Sequence, residues 1–154
     1  MSVVAAIRPD DVNFPLLLHV LGAMLLVGAL VLTASVLIVA WRGGSASLTR
    51  LGFRSLLLGA LPAWILMRVG AEWVASEENL TDLDPTPNWI DIGYQSADVG
   101  LLVILVSTLL AGLAMRRAAR DDGQGGLGNA SAVLVSLLLI VYVVSIWAMT
   151  TKPT

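Results

Sequence analysis

The sequence predicts an all-α protein: a four-helix transmembrane bundle, one domain over 1–154, with both termini on the outer side. Three observations predict it. First, 57% of the 154 residues are hydrophobic and only 13% are charged, whereas a soluble domain carries about 25% charged residues. Second, the apolar residues gather into four runs, each near the ~20 residues that a helix needs to cross the hydrocarbon core. Third, the connections between the runs alternate in charge.

The first run, FPLLLHVLGAMLLVGALVLTASVLIVAW (14–41), is long enough to tilt or to extend past the core. It does not read as a cleaved signal, whose shorter apolar stretch follows a basic end; here Asp10 and Asp11 precede it. The second span covers 55–75, with a kink or a local loosening of the helix expected at Pro62. The third covers 92–115 and the fourth 130–149. The connection 42–54 holds Arg42, Arg50 and Arg54 and no acid. The connection 116–129 holds Arg116, Arg117 and Arg120 beside Asp121 and Asp122. Between them, 76–91 holds Glu77, Glu78, Asp82, Asp84 and Asp91 and no base. The positive-inside rule places the two basic connections in the cytoplasm and the acidic one outside. Arginine far outnumbers lysine, and Ala, Gly, Val and Leu abound. That pattern points to a GC-rich bacterial genome and so to a bacterial cytoplasmic membrane.

Several chemistries are excluded. Without cysteine there are no disulfides, thiolate metal sites or thiol nucleophiles. A net charge of −2 gives a nucleic acid nothing to bind. The glycines of DDGQGGLG (121–128) follow no strand, so they read as a flexible linker and not a phosphate loop. No catalytic constellation is legible, and the reading leans away from an enzyme.

The polar residues inside the spans are not scattered. Arg68 lies about seven residues from the outer end of the second span, roughly 10 Å deep by the helical rise. Glu72 follows at i+4, where opposite charges meet on one face. His19, Asp98 and Tyr142 fall at a similar depth in the other three spans, with Tyr94 and Gln95 on the turn before Asp98 and Ser145 on the turn after Tyr142. The inner halves of the spans carry no ionisable residue. An arginine in a span costs on the order of 2.5–3.5 kcal/mol, so Arg68 either finds a buried acceptor on another helix, such as Asp98, or snorkels outward. The layer is readable as a register-fixing ion pair or as a site. Trp64 lies deeper and shares the Arg68 face, which permits a cation–π contact. His19, with acids and an arginine as its expected neighbours, is a candidate cofactor ligand or proton carrier. A single histidine does not make a zinc site, whereas haem needs one or two axial ligands, the second being Met24 or Met67, a residue of a dimer mate, or none. Gly22, Gly28, Gly59, Ala63, Gly70, Gly100 and Gly112 are read as helix contacts.

The stretch LLLHVLGAMLLVGALVL (16–32), with His19, Gly22 and Gly28, resembles the first helix of a group of small bacterial membrane proteins. These are the copper-resistance D-type domain, the integral membrane proteins allied to it, and the HemJ-type protoporphyrinogen oxidases. LPAWILMRVGAEWVASEE and NWIDIGY look like parts of actinobacterial integral membrane proteins. The first resemblance implies a four-helix bundle with His19 as a haem or metal ligand. Three functions follow as expectations: a haem- or metal-binding protein; an accessory subunit, as a homo-oligomer or in a larger complex; or a proton-linked transporter using the His/Arg/Glu/Asp layer as a relay.

Overall fold

The computed structural model describes residues 10–80, 87–120 and 125–151. Every regular element in them is helical: α1 (Asp10–Gly43), α2 (Ala46–Ser55), a π turn (Leu56–Ala60), α3 (Leu61–Glu77), α4 (Asn88–Ala118) and α5 (Gly125–Thr151). α2, the π turn and α3 run on without a break. Among the described residues there are thus four helical rods, all long and apolar enough to cross a membrane.

The rods outrun the predicted spans. Hydropathy marks the part of a helix that lipid covers, while the backbone continues into the interface. The largest correction falls on 42–54, expected as a connection. Only Gly44 and Ser45 separate α1 from α2 there. Gly44 takes the left-handed conformation that ends a helix (φ +64°). Ser45 then accepts from the Leu48 N–H at 3.4 Å and starts the next helix. α2 carries Arg50 and Arg54 outward and buries Thr49 and Gly52, an amphipathic pattern that a membrane-span criterion passes over. Likewise Gly126 and Gly128, read as linker, lie in α5, and 76–77 and 88–91 are helical. Before Pro62 the helix loosens into the π turn Leu56–Ala60, one of the two outcomes expected of this proline. Proline offers no N–H and crowds the carbonyl one turn back, and widening that turn relieves both.

Antiparallel neighbours follow from the contacts. His19 faces Gly70, Gly22 faces Met67, Ala29 faces Gly59 and Leu37 faces Gly52, so α1 descends as α2–α3 rises. Gly93 meets Met149, Gly100 meets Tyr142 and Gly128 meets Ala114, which sets α4 against α5 in the same sense. Trp64 donates to the Ala97 carbonyl at 2.9 Å and links α3 to α4, and α5 closes the ring on α1. The bundle is up-down-up-down. Both described chain ends lie at the end of the acidic connection. Arg42, Arg50, Arg54, Arg116, Arg117 and Arg120 lie at the other.

The buried stripe of α4 runs through Ile90, Gly93, Ala97, Gly100, Ile104, Ser107, Ala111 and Ala114, with Ser96 buried beside Ala97. Steps of three and four average 3.5 and keep one face turned to a partner, as in left-handed bundles. Its residues are mostly small. Leu102, Leu109, Leu137 and Ile140 lie outside. Association is driven by close packing and interhelical hydrogen bonds: Ser55 donates to the Ala29 carbonyl at 3.1 Å and Ser131 to the Ser107 carbonyl at 3.0 Å. Gly28, expected at a contact, is exposed, and a Cβ there meets nothing within 4 Å.

Candidate functional site: a cavity at the acidic end of the bundle

α1 and α3 cross most closely at His19–Gly70 and Gly22–Met67. A Cβ on either glycine runs into the backbone of the opposite helix. This approach brings the His19 ring to the Met67 carbonyl, with Nδ1 3.0 Å from the oxygen. A carbonyl only accepts, so Nδ1 carries the proton and donates. In the neutral ring Nε2 is then an acceptor. The expectation that carboxylates and an arginine hold His19 is corrected: a backbone oxygen holds it. The signal was absent from the sequence, because the partner is a main-chain atom reached only through two glycines.

Arg68 lies one residue beyond Met67 and turns toward α4. Its Nε is 2.9 Å from Glu72 Oε1, and Nη1 is 3.3 Å from Asp98 Oδ1. The guanidinium carbon stands 4.7 Å from the centre of the Tyr94 ring. The cation–π partner is therefore Tyr94, and Trp64 is instead committed to the Ala97 carbonyl. Tyr94 also donates to Glu72 Oε2 at 3.2 Å. Tyr94, expected with Gln95 on the turn before Asp98, is the aromatic anchor of this cluster: Tyr94 and Asp98 are i and i+4 on α4 and share a face. Gln95, one residue round the helix, is exposed and stays out of the cluster.

Between the four rods lies a cavity of about 480 Å³. Leu16, Leu26, Val27, Ala71 and Ile146 contribute apolar wall; His19, Arg68, Tyr94, Tyr142 and Ser145 contribute polar groups, with Asp91 and Glu78 toward the acidic connection. Its volume falls within the range of small-molecule sites. Glu72 and Asp98 lie outside the lining; Glu72 reaches it through Arg68 and Tyr94, and Asp98 through Arg68. Toward the basic end, Leu30, Leu56, Ile104 and Val135 are fully buried and close the bundle below it.

Tyr142 is 5% exposed, and its hydroxyl makes no hydrogen bond among the described residues. It lies over Gly100, and a Cβ at that glycine would occupy the hydroxyl's place. The Trp64 indole has no acceptor to offer it. Gly100→Ala therefore forces the Tyr142 ring aside. The expected cost is about 1–3 kcal/mol of bundle stability, measured by unfolding in mixed micelles. Tyr142→Phe should recover only part of it, because the ring Cζ still stands 2.8 Å from the added Cβ, and Tyr142→Leu should recover more; a loss unchanged by both second substitutions would refute the contact.

The haem implied by the family resemblance does not fit these residues. His19 offers one axial nitrogen. Met24 is 69% exposed on the outside of α1, and of the two candidate methionines only Met67 lines the cavity. The two propionates of haem need basic partners, and Arg68 already faces Glu72 and Asp98, with Asp91 and Glu78 nearby. Among the described residues, no group of three or more His, Asp or Glu side chains could hold a metal ion. Comparison of the chain with protein-family models, with curated proteins and with solved structures finds no match.

Proposed function

We propose that this chain is a non-catalytic integral membrane protein that holds a small apolar molecule in the cavity at the acidic end of its bundle. The observation that carries the reading is the cavity itself: about 480 Å³, walled by all four rods, apolar with a few convergent polar groups. By the positive-inside rule, Arg42, Arg50, Arg54, Arg116, Arg117 and Arg120 belong on the cytoplasmic side of a bacterial inner membrane. The cavity and both termini then lie toward the outer side. The closed basic half favours a blind pocket over a proton relay, which needs polar groups or water along the whole path. An accessory role in a larger complex is compatible with this reading, the bound molecule being what the chain contributes.

The test is extraction. Protein purified in mild detergent should release an apolar molecule near one equivalent per chain by mass spectrometry. A cavity-filling Ala71→Phe variant that still folds should release far less. Equal extracts from the two would sink the binding reading. The same preparation should be colourless; a Soret band lost in His19→Ala would restore haem.

A further inference from the structure

The hydrogen-bonding groups on the cavity narrow what it takes, on the premise that it binds a ligand at all. Three kinds of group matter. His19 lines the cavity, and its Nδ1 proton is spent on the Met67 carbonyl at 3.0 Å. Nε2 makes no hydrogen bond among the described residues and, in the neutral ring, is a fixed acceptor. Tyr142 supplies a donor without a partner in the same wall. Arg68 Nη1 has an ionic contact with Asp98 at 3.3 Å but no aligned hydrogen bond. Three buried side-chain polar atoms go unbonded among the described residues, and two of them belong to residues of this cavity; the third, Ser107 Oγ, belongs to none of its lining.

The charges decide between head groups. Arg68 is offset by Glu72 and Asp98, and Asp91 and Glu78 add negative charge toward the mouth. An anionic head is repelled and cannot donate to Nε2. An ammonium head can donate but leaves Tyr142 and Arg68 unsatisfied. An ether or ketone accepts but leaves Nε2 without a donor. A neutral hydroxyl both donates and accepts, and it carries no charge into the bilayer.

We propose that the cavity takes an apolar molecule ending in a neutral hydroxyl, an alcohol or phenol, which donates to His19 Nε2 and accepts from Tyr142. Because Tyr142 Oη is covered in the wall, its engagement requires the ring to turn toward the ligand. His19 is then the residue that selects the head group, and the apolar walls select the body.

The experiment uses the full chain in lipid nanodiscs with four decyl probes brominated at the tail: the alcohol, its methyl ether, the carboxylate and the primary amine. Bromine quenches tryptophan at short range; Trp89 lines the cavity, and Trp64 stands behind its wall, donating to the carbonyl of the lining residue Ala97. Probes are compared at equal mole fraction in the bilayer. The alcohol should quench saturably at about three- to tenfold lower mole fraction than the ether, the value of one hydrogen bond. His19→Leu should erase that difference, and Tyr142→Phe should reduce it. The wild-type comparison of alcohol with ether stands without any variant, so a variant that fails to fold leaves the test intact. Equal quenching by alcohol and ether, or tighter binding of the carboxylate or the amine, overturns the hydroxyl assignment while leaving the pocket a binding site. Absence of saturable quenching by all four overturns the binding reading itself.

Discussion

Gly70→Leu should lower the stability of the bundle by about 3 kcal/mol or more. Overpacking a well-fitted interior costs about 1–3 kcal/mol for side chains that can shift. Here the obstacle is main chain: a Cβ on Gly70 meets the His19 backbone, and on the reciprocal side a Cβ on Gly22 meets Met67. Neither helix can yield locally, so α1 and α3 must separate along their length. Separation also withdraws the Met67 carbonyl from His19, so ligand binding should fall with stability. Gly28→Leu is the matched control, because it adds the same side chain to the same bundle where a Cβ meets nothing within 4 Å. It should be neutral or slightly stabilising, since glycine in a helix interior costs about 1 kcal/mol. The comparison is read by denaturant titration in mixed micelles. Similar losses in the two variants would mean that glycine content, and not this crossing, sets stability.

Arg68→Leu is expected to destabilise, against the simple hydropathy scale. On that scale, removing an arginine from a span gains on the order of 2.5–3.5 kcal/mol. The contacts reverse the sign. Arg68 neutralises Glu72 at 2.9 Å and Asp98 at 3.3 Å and covers the Tyr94 ring. Its loss leaves two carboxylates facing each other's field with no cation near. Both are well exposed in the protein, with side chains 48% and 66% accessible, so the interfacial water they reach discounts the penalty. A net loss of about 1–2 kcal/mol remains, in keeping with polar contacts between membrane helices. Arg68→Leu combined with Asp98→Leu should recover much of it. A double variant as unstable as the sum of the singles would show that the two side chains are not coupled.

Parts of the site were legible in the sequence, for stated physical reasons. The Arg68–Glu72 contact follows from i, i+4 spacing on one helix. The common depth of His19, Arg68, Asp98 and Tyr142 follows from counting helical rise inward from the span ends. Rotation about each helix axis was not legible. One residue is a 100° step, enough to put Tyr94 and Asp98 beside Arg68 and to turn Gln95 away. In a soluble helix the apolar stripe fixes that rotation. In these rods both faces are apolar, so the stripe is missing. The same gap let Gly28 read as a contact and hid α2, whose polar outer face falls below a membrane-span criterion.

What the sequence determined by itself was four segments long and apolar enough to cross a membrane, joined by connections of alternating charge. Hydropathy suffices for this because transfer from water to lipid is a one-body property, summed residue by residue. What only the tertiary structure decided was the order of the rods, the glycine crossing of α1 with α3, the tautomer of His19 and the cavity. These are two-body properties. Lipid is as apolar as leucine, so no hydrophobic difference separates the inside of the bundle from its outside. Shape and a few interhelical hydrogen bonds make that choice, and they exist only once the helices have met.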